Sequence, residues 1–415
     1  MSWPEVDFES IFAAPSRNGV YKSKEHHGSG VPIVNMGELF AFNRIGSQAM
    51  SLIQMSDAEM LKNGLIDGDL LFGRRSLVEE GAGKCSIVYK PTVPMTFESS
   101  IIRGRLDRTV ADPEFFFNYF RSPVGRSRIR AIVGGAAVKG IRGSDLKLIR
   151  VHLPPIDEQI AIREVLAAYD DLIVTNQRRI ALLEDAARRI HREWFVYLHF
   201  PGHESVSLKD EMPEGWSTQK LSSVANVNER TISTKDRPDS ILYVDISSVS
   251  PGVIGEVSSY AFADAPGRAR RRVRHGDVIW SCVRPNRRSY ALIWEPDENL
   301  VASTGFAVLS ASNVPFSYLY FTTTTDDFVS YLEQNATGAA YPAVTAKTFE
   351  DVDIVIPDPG LLESFDRLVL PVVEQMEALK VQNTSLVRAR DLLLPKLMSG
   401  QFDVSTIPLP EEVAA

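Results

Sequence analysis

Two segments of the chain carry a seven-residue apolar rhythm. From 157 to 196 there is no proline or glycine, and two series interleave. One is Leu166, Ile173, Ile180, Ala187 and Trp194; the other is Ile162, Tyr169, Asn176, Leu183 and Ile190. Alternating steps of three and four predict a coiled-coil seam, with Asn176 as its polar member. At about 1.5 Å per residue such a helix spans on the order of 60 Å. A second segment, from about 361 to 398, repeats the rhythm. Phe365, Val372, Leu379, Leu386 and Leu393 alternate there with Leu362, Val369, Met376, Asn383 and Arg390. Pro371 is expected to kink this helix near its start, and Pro395 and Gly400 to mark its end. Matched length, and a polar residue in each seam, favour pairing of the two helices with each other.

The regions between, roughly 1–150 and 205–350, have a different texture. Short β-rich runs such as 241–249, 276–283 and 290–294 are separated by Gly, Pro, Asn and Asp clusters, which predicts two α+β globules. They read as copies of one module. Gly135-Ala136-Ala137 matches Gly338-Ala339-Ala340 at an offset of 203, and Pro154 matches Pro357 at the same offset. Gly68-Asp69-Leu70-Leu71-Phe72 parallels Gly276-Asp277-Val278-Ile279-Trp280 at an offset of 208. The predicted organisation is therefore an internal repeat of α+β class: globules at 1–152 and 201–357, long helices at 153–200 and 358–400, and a tail at 401–415.

Composition narrows the chemistry. A net charge of −8 over 415 residues argues against a uniformly basic nucleic-acid binder. No run approaches the roughly 20 apolar residues that cross a bilayer, and the acidic start MSWPEVDFES has no leader pattern, so a cytoplasmic protein is expected. Two cysteines, Cys85 and Cys282, cannot form a disulfide framework or a four-thiolate zinc site. Gly81-Ala82-Gly83-Lys84 lacks the earlier glycine of a phosphate loop, since position 78 is Val78. His26-His27 has no ligand partners at metal spacing. Neither a Ser-His-Asp set nor a methyltransferase motif is present, so the chain reads as non-catalytic and without a cofactor or metal of its own.

The distribution of charge says more than its sum. Residues 1–150 carry a net +4 and residues 201–350 a net −4, while 151–200 and 351–415 carry −2 and −6. Within each globule the basic residues are bunched. Residues 268–288 hold eight Arg and one acid, and residues 121–150 hold eight Lys or Arg and one acid. In both copies a Gly-Asp strand leads into an arginine loop. Arginine offers a planar donor fork to phosphate oxygens and to the guanine O6/N7 edge, and asparagine pairs with adenine. The candidate DNA contacts are Arg74, Arg75, Ser76, Lys84, Arg103 and Arg105 in the first globule. In the second they are Arg270, Arg271, Arg272, Arg284, Asn286, Arg287, Arg288 and Tyr290.

This arrangement resembles the specificity subunits of type I restriction–modification enzymes. Three segments carry the resemblance. Leu153-Pro154-Pro155-Ile156-Asp157-Glu158-Gln159, with the helix it opens and the closing Glu193-Trp194-Phe195-Val196, is similar to the family's central segment. Met212-Pro213-Glu214-Gly215-Trp216 is similar to the start of its second recognition domain, and Arg390 to Gly400 to its C-terminal helix ending. The second copy departs from the pattern, with Ile356-Pro357-Asp358-Pro359-Gly360 in place of Pro-Pro…Glu-Gln. The resemblance implies two target-recognition domains joined by an antiparallel coiled coil, each reading half of a split, asymmetric DNA site. It also implies docking of two methyltransferase subunits, which hold S-adenosylmethionine and flip the target adenine, and of a restriction subunit. The alternative reading is a coiled-coil scaffold that binds protein partners through two globular heads.

Overall fold

The structure is a computed structural model that describes residues 3–402 and 404, apart from 137, 210 and 234–236. It divides into two compact units, and the division passes through both long helices. One unit comprises residues up to Thr175 together with those from Asn383 onward; the other is Asn176–Gln382.

The first unit is built on a five-stranded sheet. Its strands are β1 (Phe12–Asn18), β2 (Arg44–Ile45), β3 (Leu70–Gly73), β4 (Cys85–Val88) and β5 (Ile101–Leu106), in the order β1-β5-β3-β4-β2. Strand β3 is central, and Leu70, Leu71, Phe72 and Gly73 are all buried, as expected for a strand covered on both faces. Helices Pro113–Arg121 and Pro123–Ala131 pack on it. Each begins with Pro at a first-turn position, and Asp112 and Ser122 cap their N-termini through Phe115 and Gly125 N–H. Phe8, Phe72, Phe116 and Phe120 are fully buried, with Phe120 4.8 Å from Phe8 and 5.0 Å from Phe72 in edge-on contact. Burial of one such ring contributes about 1.5–3 kcal/mol.

The second unit repeats this plan. Strands β6 (Ala225–Val227), β7 (Val278–Ser281), β8 (Tyr290–Leu292) and β9 (Phe306–Ala311) form a sheet in the order β6-β9-β7-β8. That is the order of β1-β5-β3-β4 without the added edge strand. The following helices, Phe316–Thr323 and Asp326–Gln334, stand where the first unit has 113–121 and 123–131. Each unit also closes with an antiparallel ladder just before its long helix, Glu5–Asp7 on Arg150–His152 and Ser217–Lys220 on Asp353–Ile356. The copies differ in the size of a second sheet built from segments on both sides of the central strand. In the second it has four strands, with Ser240–Val244 parallel to Leu300–Ser303; in the first it has three, with His27–Val34 parallel to Thr96–Phe97.

The long helices run Ile156–Phe195 and Pro359–Met398, each 40 residues, again at an offset of 203. The first begins later than the expected 153, because Leu153 and Pro154 each precede a proline, which disfavours helical backbone at both. Gln159 ties its first turn to the globule. Its amide donates to the Val110 and Pro154 carbonyls at 3.0 and 2.8 Å and accepts from Asp112 N–H at 2.8 Å. The second copy has no such glutamine. There Asp366 accepts from Ser317 at 2.6 Å, at the position where the first copy pairs Arg163 with Asp112.

Pairing of the helices is antiparallel within each unit. In the first, Asp170 pairs with Arg390 at 2.7 Å, and Asn383 donates to the Ile173 carbonyl at 3.4 Å. In the second, Asn176 donates to Gln382 at 2.7 Å, and Trp194 meets Phe365 at 6.0 Å. Ile162, Leu166, Tyr169, Ile173, Asn176, Phe365, Leu379 and Leu386 are buried; Ile180, Leu183, Asn383 and Leu393 are partly so. One expectation is corrected. Val373 rather than Val372 is the buried member after Val369, as 3.6-residue periodicity brings the fourth residue round to the same face. The helix runs on through Pro371, whose ring is exposed, and ends at Met398, between Pro395 and Gly400 as expected.

Candidate nucleic-acid interface

The Gly-Asp motif noted in both copies is the foot of each arginine loop. Asp69 is fully buried before β3. It accepts the Ile66 N–H at 2.9 Å and holds Arg105, on β5, through two 2.7 Å hydrogen bonds. Asp277 stands in the same place before β7. It accepts the Arg274 N–H at 2.8 Å, the Ser310 hydroxyl at 2.6 Å and the Arg230 guanidinium at 3.1 Å. Strand pairing puts Ser310 at the position of Arg105, so one buried carboxylate is satisfied by different partners in the two copies.

Beyond β3 the chain enters Arg74 and the short strand Arg75–Ser76, which pairs with Lys139–Gly140. Between these segments lies a cleft of about 400 Å³ lined by Arg74, Arg75, Lys139 and Arg142, with Asp145 at its edge. None of the four cationic side chains has a hydrogen-bond, ion-pair or ring partner among the described residues. Four cationic side chains against one carboxylate leave the opening net positive, which attracts an anion.

Beyond β7 the loop 284–288 is a single 3₁₀ turn, Pro285–Arg287, flanked by left-handed residues. Arg284 has φ +52° and Arg288 φ +53°. Such conformations cost of order 1–3 kcal/mol each and need external support. Arg284 receives it from the Pro342 carbonyl (2.7 Å to its N–H), the Ala340 carbonyl (3.2 Å to Nη2) and the Tyr341 ring, 4.5 Å away. Arg288 is held by Asp326 at 2.6 Å. The turn leaves Asn286 and Arg287 exposed at its crown.

Several expected contacts belong to the scaffold instead. Arg103 is 3% exposed and donates to the Lys62 and Gly64 carbonyls at the end of a helix, and Arg105 serves Asp69, so both guanidinium groups are turned to the protein's own acceptors. Tyr290 is buried against Trp280, and its hydroxyl accepts from Arg188 of the first long helix at 3.1 Å. Lys84 folds back onto the Phe40 carbonyl and ring. Ser76 Oγ accepts the Val78 N–H within its own turn. Arg270 lies 5.0 Å from the Phe262 ring, Arg271 bonds Thr231, and Arg272 is half-buried on the same edge strand. Lys139 and Arg142 were missed because the cleft that uses them joins segments far apart along the chain.

Other candidates resolve structurally. The Gly81–Lys84 turn offers carbonyls rather than N–H groups: Arg126 donates to those of Glu80, Ala82 and Gly83 at 2.8–3.3 Å. Cys85 is buried with its thiol pushed well up by desolvation, and burial takes Cys282 up to about 11. Among the described residues no group of three or more His, Cys, Asp or Glu could hold a metal, and no helix is long and apolar enough to cross a membrane.

Residues 3–185 match the family model for the type I restriction modification DNA specificity domain. The MjaIX specificity subunit of Methanocaldococcus jannaschii is 23% identical over 367 residues, covering 81% of this chain and 83% of that one. The chain is similar to type I restriction–modification specificity subunits along most of its length. The EcoKI specificity subunit of Escherichia coli is 32% identical over 174 residues, covering 41% of this chain and 37% of its own. A crystal structure of a type I S subunit from M. genitalium shares the fold with TM-score 0.58 at 16% identity, over 96% of both chains. These relatives are named as specificity subunits, and none of the matches supports the scaffold alternative.

Proposed function

We propose that each globule reads one part of a two-part DNA target, the first through Arg74, Arg75, Lys139 and Arg142, the second through Arg284, Asn286, Arg287 and Arg288. The paired helices set the gap between the two parts, as dimer geometry sets half-site spacing in repressors. The same chain brings two methyltransferase subunits, with their S-adenosylmethionine, and a restriction subunit to that target. One observation carries the reading. In both copies a buried aspartate, Asp69 or Asp277, anchors the strand that delivers a basic loop to the surface. Duplication of the reader supports a duplicated target. The test is footprinting of the chain with its methyltransferase partner on DNA that it selects. Two protected blocks with an unspecific stretch between them are expected, and one uninterrupted block contradicts the proposal.

A further inference from the structure

The Gly-Ala-Ala repeat has a structural counterpart that the arginine loops do not account for. In the first unit, Gly134 and Gly140 exchange two backbone hydrogen bonds of 2.9 Å and close a loop over 134–140. In the second, Thr337 and Ala343 do the same, also at 2.9 Å, over 337–343. The loops are of equal length, lie at the offset of 203, and turn on a left-handed glycine, Gly135 at φ +102° and Gly338 at φ +100°. A Cβ on Gly135 would stand 2.2 Å from the Val138 carbonyl oxygen, so the turn excludes a side chain there.

Each loop is seated on the arginine segment of its own globule. Ile141 N–H bonds the Arg74 carbonyl at 3.0 Å, and Arg284 N–H bonds the Pro342 carbonyl at 2.7 Å. The backbone is shared, but the side chain at the tip is not. At one and the same loop position stand Val138, 49% exposed, and Tyr341, 69% exposed.

The surroundings match these tips to nucleic acid. Val138 lines both the basic cleft and an adjoining apolar patch with the exposed Leu77 and Val78. Cations on one side and aliphatic carbons on the other fit a DNA strand, phosphates to the first and thymine methyl or sugar carbons to the second. Tyr341 presents a flat ring beneath the Arg284 guanidinium, a pair that suits the face of a base or deoxyribose. We infer that each Gly-Ala-Ala loop is a DNA-contacting finger whose tip residue, Val138 or Tyr341, sets base preference in its own globule's part of the target. This rests on the two-part reading proposed above.

The experiment exchanges the tips in the full chain, assembled with its methyltransferase partner, and selects binders from a random duplex library. Val138→Tyr is expected to change the preferred bases in one block only, and Tyr341→Val in the other only, each with at least a five-fold loss of discrimination. Tyr341→Phe, which keeps the ring, is expected to retain the parent preference. Unchanged preferences in both exchanged chains overturn the inference, as does weaker binding with the same preference, which would mark an interaction with the DNA backbone alone. A parent that selects no sequence overturns the two-part reading itself, so the two failures are distinguishable. Both tips are exposed, and equal thermal unfolding midpoints for parent and variants verify that the fold is intact.

Discussion

Asp69 grips Arg105 through two parallel 2.7 Å hydrogen bonds while fully buried at the foot of the strand that leads to Arg74 and Arg75. Removing one partner of such a pair leaves the other desolvated and uncompensated, at a cost of about 3–5 kcal/mol. Asp69→Ala is expected to destabilise the chain by about that amount. Asp277→Ala should act similarly, since it strands Arg230 and Ser310. Urea denaturation of the full chain measures both, and losses under about 1 kcal/mol would contradict the anchoring role.

The crown of loop 284–288 gives a salt-dependent signature. Arg287 is exposed and has no side-chain partner among the described residues, so its charge is available to displace a counterion from DNA. Arg287→Ala is expected to lower affinity and to reduce the slope of log K against log salt by about 0.9 for each phosphate no longer neutralised. Arg284→Ala and Arg288→Ala should add loss of loop geometry, because both hold left-handed backbone in place. Affinity measured between low and high salt distinguishes the two effects.

Spacing follows from helix length. Removing seven residues from each long helix, 173–179 and 379–385, keeps the heptad phase of both. At about 1.5 Å per residue the pair shortens by about 10 Å, or roughly three base pairs at 3.4 Å each. The selected DNA should show a gap changed by about that number, with both blocks of specific bases unaltered. Altered blocks at constant spacing would assign the helices to recognition instead.

His191 makes stability fall in acid. Its ring is buried among Phe195, Tyr318 and Phe365, with Nε2 2.9 Å from Thr322 Oγ1. Desolvation, and then the nearby Arg188, push its pKa down to about 3 from an ordinary 6.5. The unfolded chain therefore binds a proton below pH 6.5 that the folded chain refuses. Stability is fully present above that pH and declines as pH falls toward 3, by at most about 1.4 kcal/mol per unit. His191→Phe is expected to remove this part of the slope, read as the difference between the two unfolding free energies from pH 7 to 4.5.

Much of the architecture was legible from periodicity and repetition. Seven-residue spacing located both long helices, and the 203-residue offset matches their bounds and the loop closures. Glycine and aspartate at 68–69 and 276–277 marked the foot of each reader, because a buried carboxylate needs a fixed place in the fold. Side-chain destinations were less legible. Arg103 and Arg105 are as basic as Arg75, yet their strand neighbours decide that they face carbonyls and Asp69. Tyr290 adjoins an arginine run but turns inward to Arg188, since strand alternation outweighs sequence neighbourhood. Lys139 joins Arg74 only because two short strands pair across the intervening fold.

The central claim is that one chain reads two separate blocks of bases, one with each globule. It is tested most directly by selecting from a random duplex library with the full chain and its methyltransferase partner, and aligning what is retained. Two short conserved blocks at constant separation, with no preference between them, are the predicted result. A single continuous block, or no enrichment above that of the partner alone, would contradict it.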